Sequence, residues 1–141
     1  MKKYKRPYQF GASDTTQSPV YQKAIEIFKL SRQVVNYISG DKNILQLHKS
    51  ENPSDLHSDH LVMASLGLAP KIAMAESSPD LTIRLNSVRA IRNATINLLQ
   101  HCDHLENRSH NGKEFIRLLR FEIKKFRRMQ RQWATRVCYK N

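Results

Sequence analysis

The sequence predicts an all-α fold: an antiparallel up-down four-helix bundle preceded by a disordered basic N-terminal arm. Three observations lead there. Apolar residues recur at helical spacing over four stretches, at about 19–39, 55–76, 79–105 and 113–138. Serine-proline pairs, suited to the cap and first position of a helix, stand at Ser18-Pro19 and Ser78-Pro79. No strand-like alternation of useful length and no internal repeat breaks the pattern, and the short connections suit helices that fold back on one another. The arm takes residues 1–17 and the bundle residues 18–141.

The arm mixes cations with aromatics: Lys2, Lys3, Tyr4, Lys5, Arg6, Tyr8 and Phe10. It lacks a helical period, and its aromatics suit either base stacking or loose packing on a neighbouring surface. The first helix carries Val20, Ala24, Ile27, Val34 and Ile38 on its inner stripe, with Gly40 placed to close it. Residues 40–54 are polar apart from Ile44, Leu45 and Leu47, a helical turn or a loop cover. The second helix contains Gly67 and Pro70, so a kink is expected at the proline, whose missing N–H costs about 3 kcal/mol inside a helix. Its small residues, from Ala64 to Ala75, permit close helix approach. The third helix places Leu81, Leu85, Val88, Ile91, Leu98, Cys102 and Leu105 on one face, while Arg84, Arg89 and Arg92 add to a basic surface.

The last helix has the clearest segregation. Phe115, Leu118, Leu119, Phe126, Met129, Trp133 and Val137 are expected on its inner side. Lys113, Arg117, Arg120, Lys124, Arg127 and Arg131 follow at steps of four, three, four, three and four, with Arg128 alongside. At about 1.5 Å per residue this ridge runs for roughly 27 Å. Glu114 and Glu122 are its only acidic companions, and Glu122 is expected on the apolar side.

Charge is concentrated as well as abundant. The chain has 141 residues, 24 Lys plus Arg and 12 Asp plus Glu, a formal charge of +12. Four of those net charges sit on Lys2, Lys3, Lys5 and Arg6, and eight lie from Lys113 onward, which leaves residues 7–112 balanced. Clustering of this kind favours nucleic acid (RNA, DNA or a hybrid) or an acidic surface as the partner. The nucleic-acid-binding residues expected are therefore Lys113, Arg117, Arg120, Lys124, Arg127, Arg128 and Arg131, with Lys2, Lys3, Lys5 and Arg6. No apolar run approaches the ~18–20 residues of a membrane span, and no apolar segment follows the basic start to make a secretory signal. Cys102 and Cys138 are too sparse for a disulfide framework and fit free thiols in a reducing cytoplasm.

Catalytic signals are missing. Four scattered glycines make no phosphate loop, and no nucleophile elbow or placed pair of carboxylates stands out. His57 with His60 and His101 with His104 are paired at three-residue spacing, but they fall in different helices and match no zinc pattern. They read as surface or helix-end histidines, with no metal and no cofactor. Glu76 and Glu122 are the acids expected nearest the interior. Trp133 is read as core or subunit interface.

Three stretches resemble a known group, the four-helix bundles of the 23S ribosomal RNA intervening-sequence type and the related accessory variability determinant proteins of diversity-generating retroelements. Val20-Tyr21-Gln22-Lys23-Ala24 resembles the opening of the first helix in the intervening-sequence proteins. Pro70-Lys71-Ile72-Ala73, continuing to Glu76, is similar to their mid-helix proline followed by Ile-Ala and a glutamate. Phe126-Arg127-Arg128-Met129-Gln130-Arg131-Gln132-Trp133 resembles the last helix of the accessory proteins, with its late tryptophan. The likeness spans about residues 18–138. It implies a pentameric ring of bundles with a basic surface that binds nucleic acid and a reverse transcriptase and assists complementary-DNA synthesis.

The expected function is thus a non-catalytic nucleic-acid-binding accessory subunit, a homo-oligomer with a reverse transcriptase as partner. With about five ridge cations engaged, log affinity should fall against log salt with a slope near −4 to −5. The alternative is a basic protein–protein adaptor of the intervening-sequence type that meets an acidic partner.

Overall fold

The structure, a computed structural model, describes Thr15, residues 17–109 and residues 111–139. The described chain is helical: α1 (Pro19–Ser39), α2 (Ile44–Lys49), α3 (Pro53–Leu66), α4 (Leu68–Ser77), α5 (Leu81–Arg108) and α6 (Lys113–Tyr139). Lys2, Lys3, Lys5 and Arg6 lie outside the described residues. Of the expected arm, Thr15 is buried and its carbonyl accepts the Ser18 N–H at 3.1 Å, so the folded part begins ahead of Ser18.

Helix ends follow local chemistry. Pro19 occupies the first turn of α1, and Gly40, at φ 69°, closes it with its N–H on the Asn36 carbonyl. The cluster at Ile44 is a helix in its own right, started by a reciprocal cap in which the Asn43 and Gln46 side chains each accept the other's backbone N–H at 2.8 Å. Its one buried residue is Leu47. At the third long stretch the Ser-Pro pair lies outside the helix. Asp80 caps α5 by accepting the Thr82 N–H at 2.8 Å, while Ser78 Oγ accepts the Asp80 N–H.

The expected kink falls earlier than Pro70. The break is at Gly67, between α3 and α4, which puts Pro70 in the first turn of α4. There its missing N–H is one that no intrahelical carbonyl would have received. The chain avoids the proline penalty by restarting the helix at Leu68, two residues upstream.

α1 and α5 each pack against α3, α4 and α6. Ile27, Leu61, Leu68, Ile72, Ile91, Leu98, Ile123, Phe126 and Trp133 are completely or almost completely buried between them. On α6 the buried stripe is Ile116, Leu119, Ile123, Phe126, Gln130, Trp133 and Val137, alternating steps of three and four. Phe115 and Leu118, expected inside, are exposed, and Ile116 and Ile123 take their place. The helix is rotated because a strict three-four seam anchored by Phe126, Trp133 and Val137 passes through the isoleucines. A similar displacement occurs on α5. Leu81 and Leu85 are exposed, whereas Arg84 is only 7% exposed and donates from Nη1 to the Ser78 carbonyl at 2.9 Å. Arg84 therefore staples the α4–α5 turn and adds nothing to a basic surface.

Gly112 sets the entry to α6. Its φ is +81°, and a Cβ there would stand 2.8 Å from Ile38 Cγ2 and 3.0 Å from the Tyr37 ring. Only glycine accepts both constraints, so the end of α1 and the start of α6 come together.

Candidate nucleic-acid interface

The basic ridge of α6 divides into two parts. In its first part, Arg117 and Arg120 are paired with acids of α5. Arg117 donates from Nε to Glu106 at 2.8 Å, and Arg120 donates to Asp103 at 2.9 Å and also to Glu106. The Arg120 side chain is only 21% exposed. Burial acts to lower Arg120, but its bonds to Glu106 and Asp103 outweigh that and hold the guanidinium above its ordinary value. The same bonds from Arg120 and Arg117 hold the Glu106 carboxyl below the usual range. Arg117 and Arg120, both expected to meet phosphates, are thus ion-paired within the chain, Arg120 at a largely covered position and Arg117 with its side chain still 60% exposed.

The second part is free. Lys124, Arg127, Arg128 and Arg131 are exposed and, among the described residues, form no ion pair. Lys113 is half-buried at the first turn, also without an ion pair. Counted at 100° per residue, the ridge stands about 110° from the buried stripe and so flanks the outward face on the α5 side. Arg128 points most directly outward. Arg89 and Arg92 of α5 are exposed too, and Arg89 bonds Asn86 at 3.3 Å.

Phe121, which the sequence reading passed over, lies on that outward face. It is 54% exposed, and Lys125 Nζ stands 5.0 Å from its ring centroid. Its helical neighbours at three and four residues are Arg117, Leu118, Lys124 and Lys125. A solvent-facing aromatic ringed by cations is the combination that holds an unpaired base over a phosphate backbone. The available signal was its failure to fit the inner stripe while sitting inside the ridge.

Glu122 behaves as an ion-pair residue at the α1–α6 contact. It accepts from Lys23, and Lys125 stands 3.9 Å away. Lys23, Lys125, Arg128, Met129 and Gln132 line an open groove of about 510 Å³ there. Bonds from Lys23 hold the Glu122 carboxyl below its ordinary value. Glu76, the other acid expected inside, accepts the indole N–H of Trp133 at 2.7 Å. Trp133 is core, 1% exposed.

Two more deeply buried acids were missed, because both sit in a polar stretch at the start of α3. Asp55 accepts from Lys42 at 2.6 Å and Ser50 at 2.7 Å, and Asp59 lies 3.1 Å from His48 Nδ1. They tie the α1–α3 connection and α2 onto the helices. The paired histidines, read as separate, face one another across the α3–α5 contact. Both cysteines are free, and burial pushes the Cys102 thiol up to about 12, which leaves it without nucleophilic character at neutral pH. No described helix is long and apolar enough to cross a membrane.

No protein-family model, curated protein or solved structure matches this chain.

Proposed function

We propose that the protein is a non-catalytic nucleic-acid-binding accessory subunit whose contact surface is the later half of α6. The observation that carries this is the run of exposed, unpaired cations Lys124, Arg127, Arg128 and Arg131 on one helix. Cations left unpaired over several turns repel one another, and a phosphate backbone removes that cost while releasing its own counterions. Phosphate contacts position a ligand without reading sequence, so weak sequence preference is expected. Phe121, with Lys125 over its ring, favours single strands over duplex.

We read the long helices as an antiparallel up-down bundle, with α3 and α4 forming one leg. Tyr37 near the end of α1 meets Phe115 near the start of α6, ring centroids 4.9 Å apart, while Lys23 near the start of α1 meets Glu122 further along α6. On the other side Glu106 pairs with Arg117 and Asp103 with Arg120, as in a hairpin. Assembly into a ring, service to a reverse transcriptase and a cytoplasmic setting rest on the resemblance stated above. A pull-down with such an enzyme and a mass measurement in solution test them separately from binding.

The binding test is a salt series on labelled single strands and duplexes. Four engaged cations give a slope of about −3.6 in log affinity against log salt on duplex DNA. Exchange of Lys124, Arg127 and Arg131 for Glu should abolish binding with the unfolding midpoint nearly unchanged. Wild-type affinity in that triple variant would defeat the proposal and favour an acidic protein as the partner.

A further inference from the structure

Arg120 of α6 bonds Asp103 of α5 at 2.9 Å, and Arg117 bonds Glu106 at 2.8 Å. A step forward on α6 is therefore matched by a step back on α5. Eleven residues make three helical turns to within about 20°. Eleven on from Arg120 stands Arg131, and eleven back from Asp103 stands Arg92. Three turns along the α5–α6 seam, the place that repeats the ion pair thus holds an arginine on both sides. Between the two places Arg127 falls across from Ile96, which is 42% exposed. Arg89, Arg92, Arg127 and Arg131 are all exposed, and among the described residues none forms an ion pair. No acid on either helix relieves them: α5 carries no Asp or Glu from Leu81 to Cys102, and α6 none from Ile123 to Tyr139. Nearby, Glu76 holds the Trp133 indole and Asp80 caps α5. Beneath the arginines the helices stay packed, with Val88, Leu99 and Ala134 against the core. Two cationic rows over that low-dielectric floor concentrate the field between them.

We propose that this half of the α5–α6 seam is the track of a single nucleic-acid strand, whose phosphates Arg89 and Arg92 grip from the side opposite Arg127 and Arg131. Resting on the nucleic-acid reading of α6, this adds a second wall to the binding surface and gives the strand a direction, along the seam rather than across it. A phosphate between two guanidinium groups accepts from both, and the planar fork of arginine suits such bridging. The mutual repulsion of the two rows is relieved by that ligand and by no acid of α5 or α6. Ile96 lies among the arginines, and Leu85, 39% exposed, follows on the same face of α5, five turns from Asp103. They give the bases an apolar surface to rest on, which a single strand can use and a duplex, with its bases stacked and paired, cannot.

The test is a salt series on a labelled oligothymidine with the full, tag-free chain. Arg89 and Arg92 together with Lys124, Arg127, Arg128 and Arg131 make six engaged cations, a slope of about −4.2 in log affinity against log salt on a single strand. The Arg89→Gln, Arg92→Gln double variant should bind more weakly, with the slope reduced to about −2.8. Lys29→Gln with Arg32→Gln removes the same charge from exposed positions of α1 and should leave the slope at the wild-type value. A wild-type slope in the α5 variant overturns the inference and leaves the α6 surface standing. An equal loss in the α1 variant overturns it too, since net charge alone then accounts for the effect. Retained binding in the Lys124, Arg127, Arg131 triple variant removes the function proposed above as well. Polyglutamate binding as tightly as an oligothymidine of equal charge makes an acidic protein the ligand and overturns both. Photocrosslinking of a 4-thiothymidine strand to the wild type needs no variant to fold. It should label α5 between Leu85 and Ile96, and label confined to α6 overturns the inference.

Discussion

The indole N–H of Trp133 donates to the carboxylate of Glu76 at 2.7 Å, joining the last turns of α6 to the end of α4. Those two helices share few backbone contacts, so the bond works across the core rather than along a groove. A large aromatic with one polar atom is suited to that, because the ring fills volume while its N–H meets an acid. Trp133→Phe keeps most of the volume and removes the donor. It should destabilise the protein by about 1–3 kcal/mol in urea unfolding. Trp133→Ala should cost about 3–5 kcal/mol.

The rotation of α6 has a mutational signature. Ile123→Ala removes a completely buried side chain and should cost about 2–5 kcal/mol. Leu118→Ser, on a helix face the sequence assigned to the interior, should stay within about 0.5 kcal/mol of wild type. Reversal of that order in chemical denaturation would restore the unrotated register.

Arg120 separates structural from binding charge. Arg120→Ala leaves Glu106 with Arg117 and strips Asp103 of its partner. Partly exposed pairs are worth little each, so the expected loss is about 1 kcal/mol. The salt slope of nucleic-acid binding should not change, because this guanidinium is already engaged. A slope reduced by one unit would return Arg120 to the interface.

Phe121→Ala should weaken single-strand binding by about 1–3 kcal/mol, or roughly 5- to 150-fold, and leave duplex binding almost untouched. Fluorescence anisotropy on matched single and double strands checks both halves of that statement.

Acid should loosen the α3–α5 contact. His101 is held at about 4 and His57 below 6.5, both first by burial, with His60, His104 and Arg108 as the nearby positive or titrating groups. The unfolded chain takes up protons below about 6.5 while the folded one resists, so stability is fully present above that value. It should fall as pH drops from 6.5 toward 4. In thermal melts, the His57→Gln, His101→Gln double variant should lose less over this range than wild type.

The extents of α1 and α6 and the core role of Trp133 followed from periodicity and from Pro19 and Gly40, because these are properties of one helix at a time. The ridge was legible as a row of cations, but its division was not. That Asp103 and Glu106 neutralise Arg117 and Arg120 depends on which helix lies beside which. The break at Gly67 was placed at Pro70 because the proline penalty is local, while the choice of where to restart is made by the whole turn.

The sequence by itself determined an all-helical chain with its positive charge gathered at the two ends, since hydrogen bonding within a helix and side-chain spacing are short-range matters. Only the tertiary structure decided which cations stay free, which aromatic faces water and which histidines meet. Those outcomes are set by the angle at which each amphipathic helix turns its seam to its neighbours. A rotation of some tens of degrees leaves the apolar count almost the same while exchanging Phe115 and Leu118 for Ile116 and Ile123.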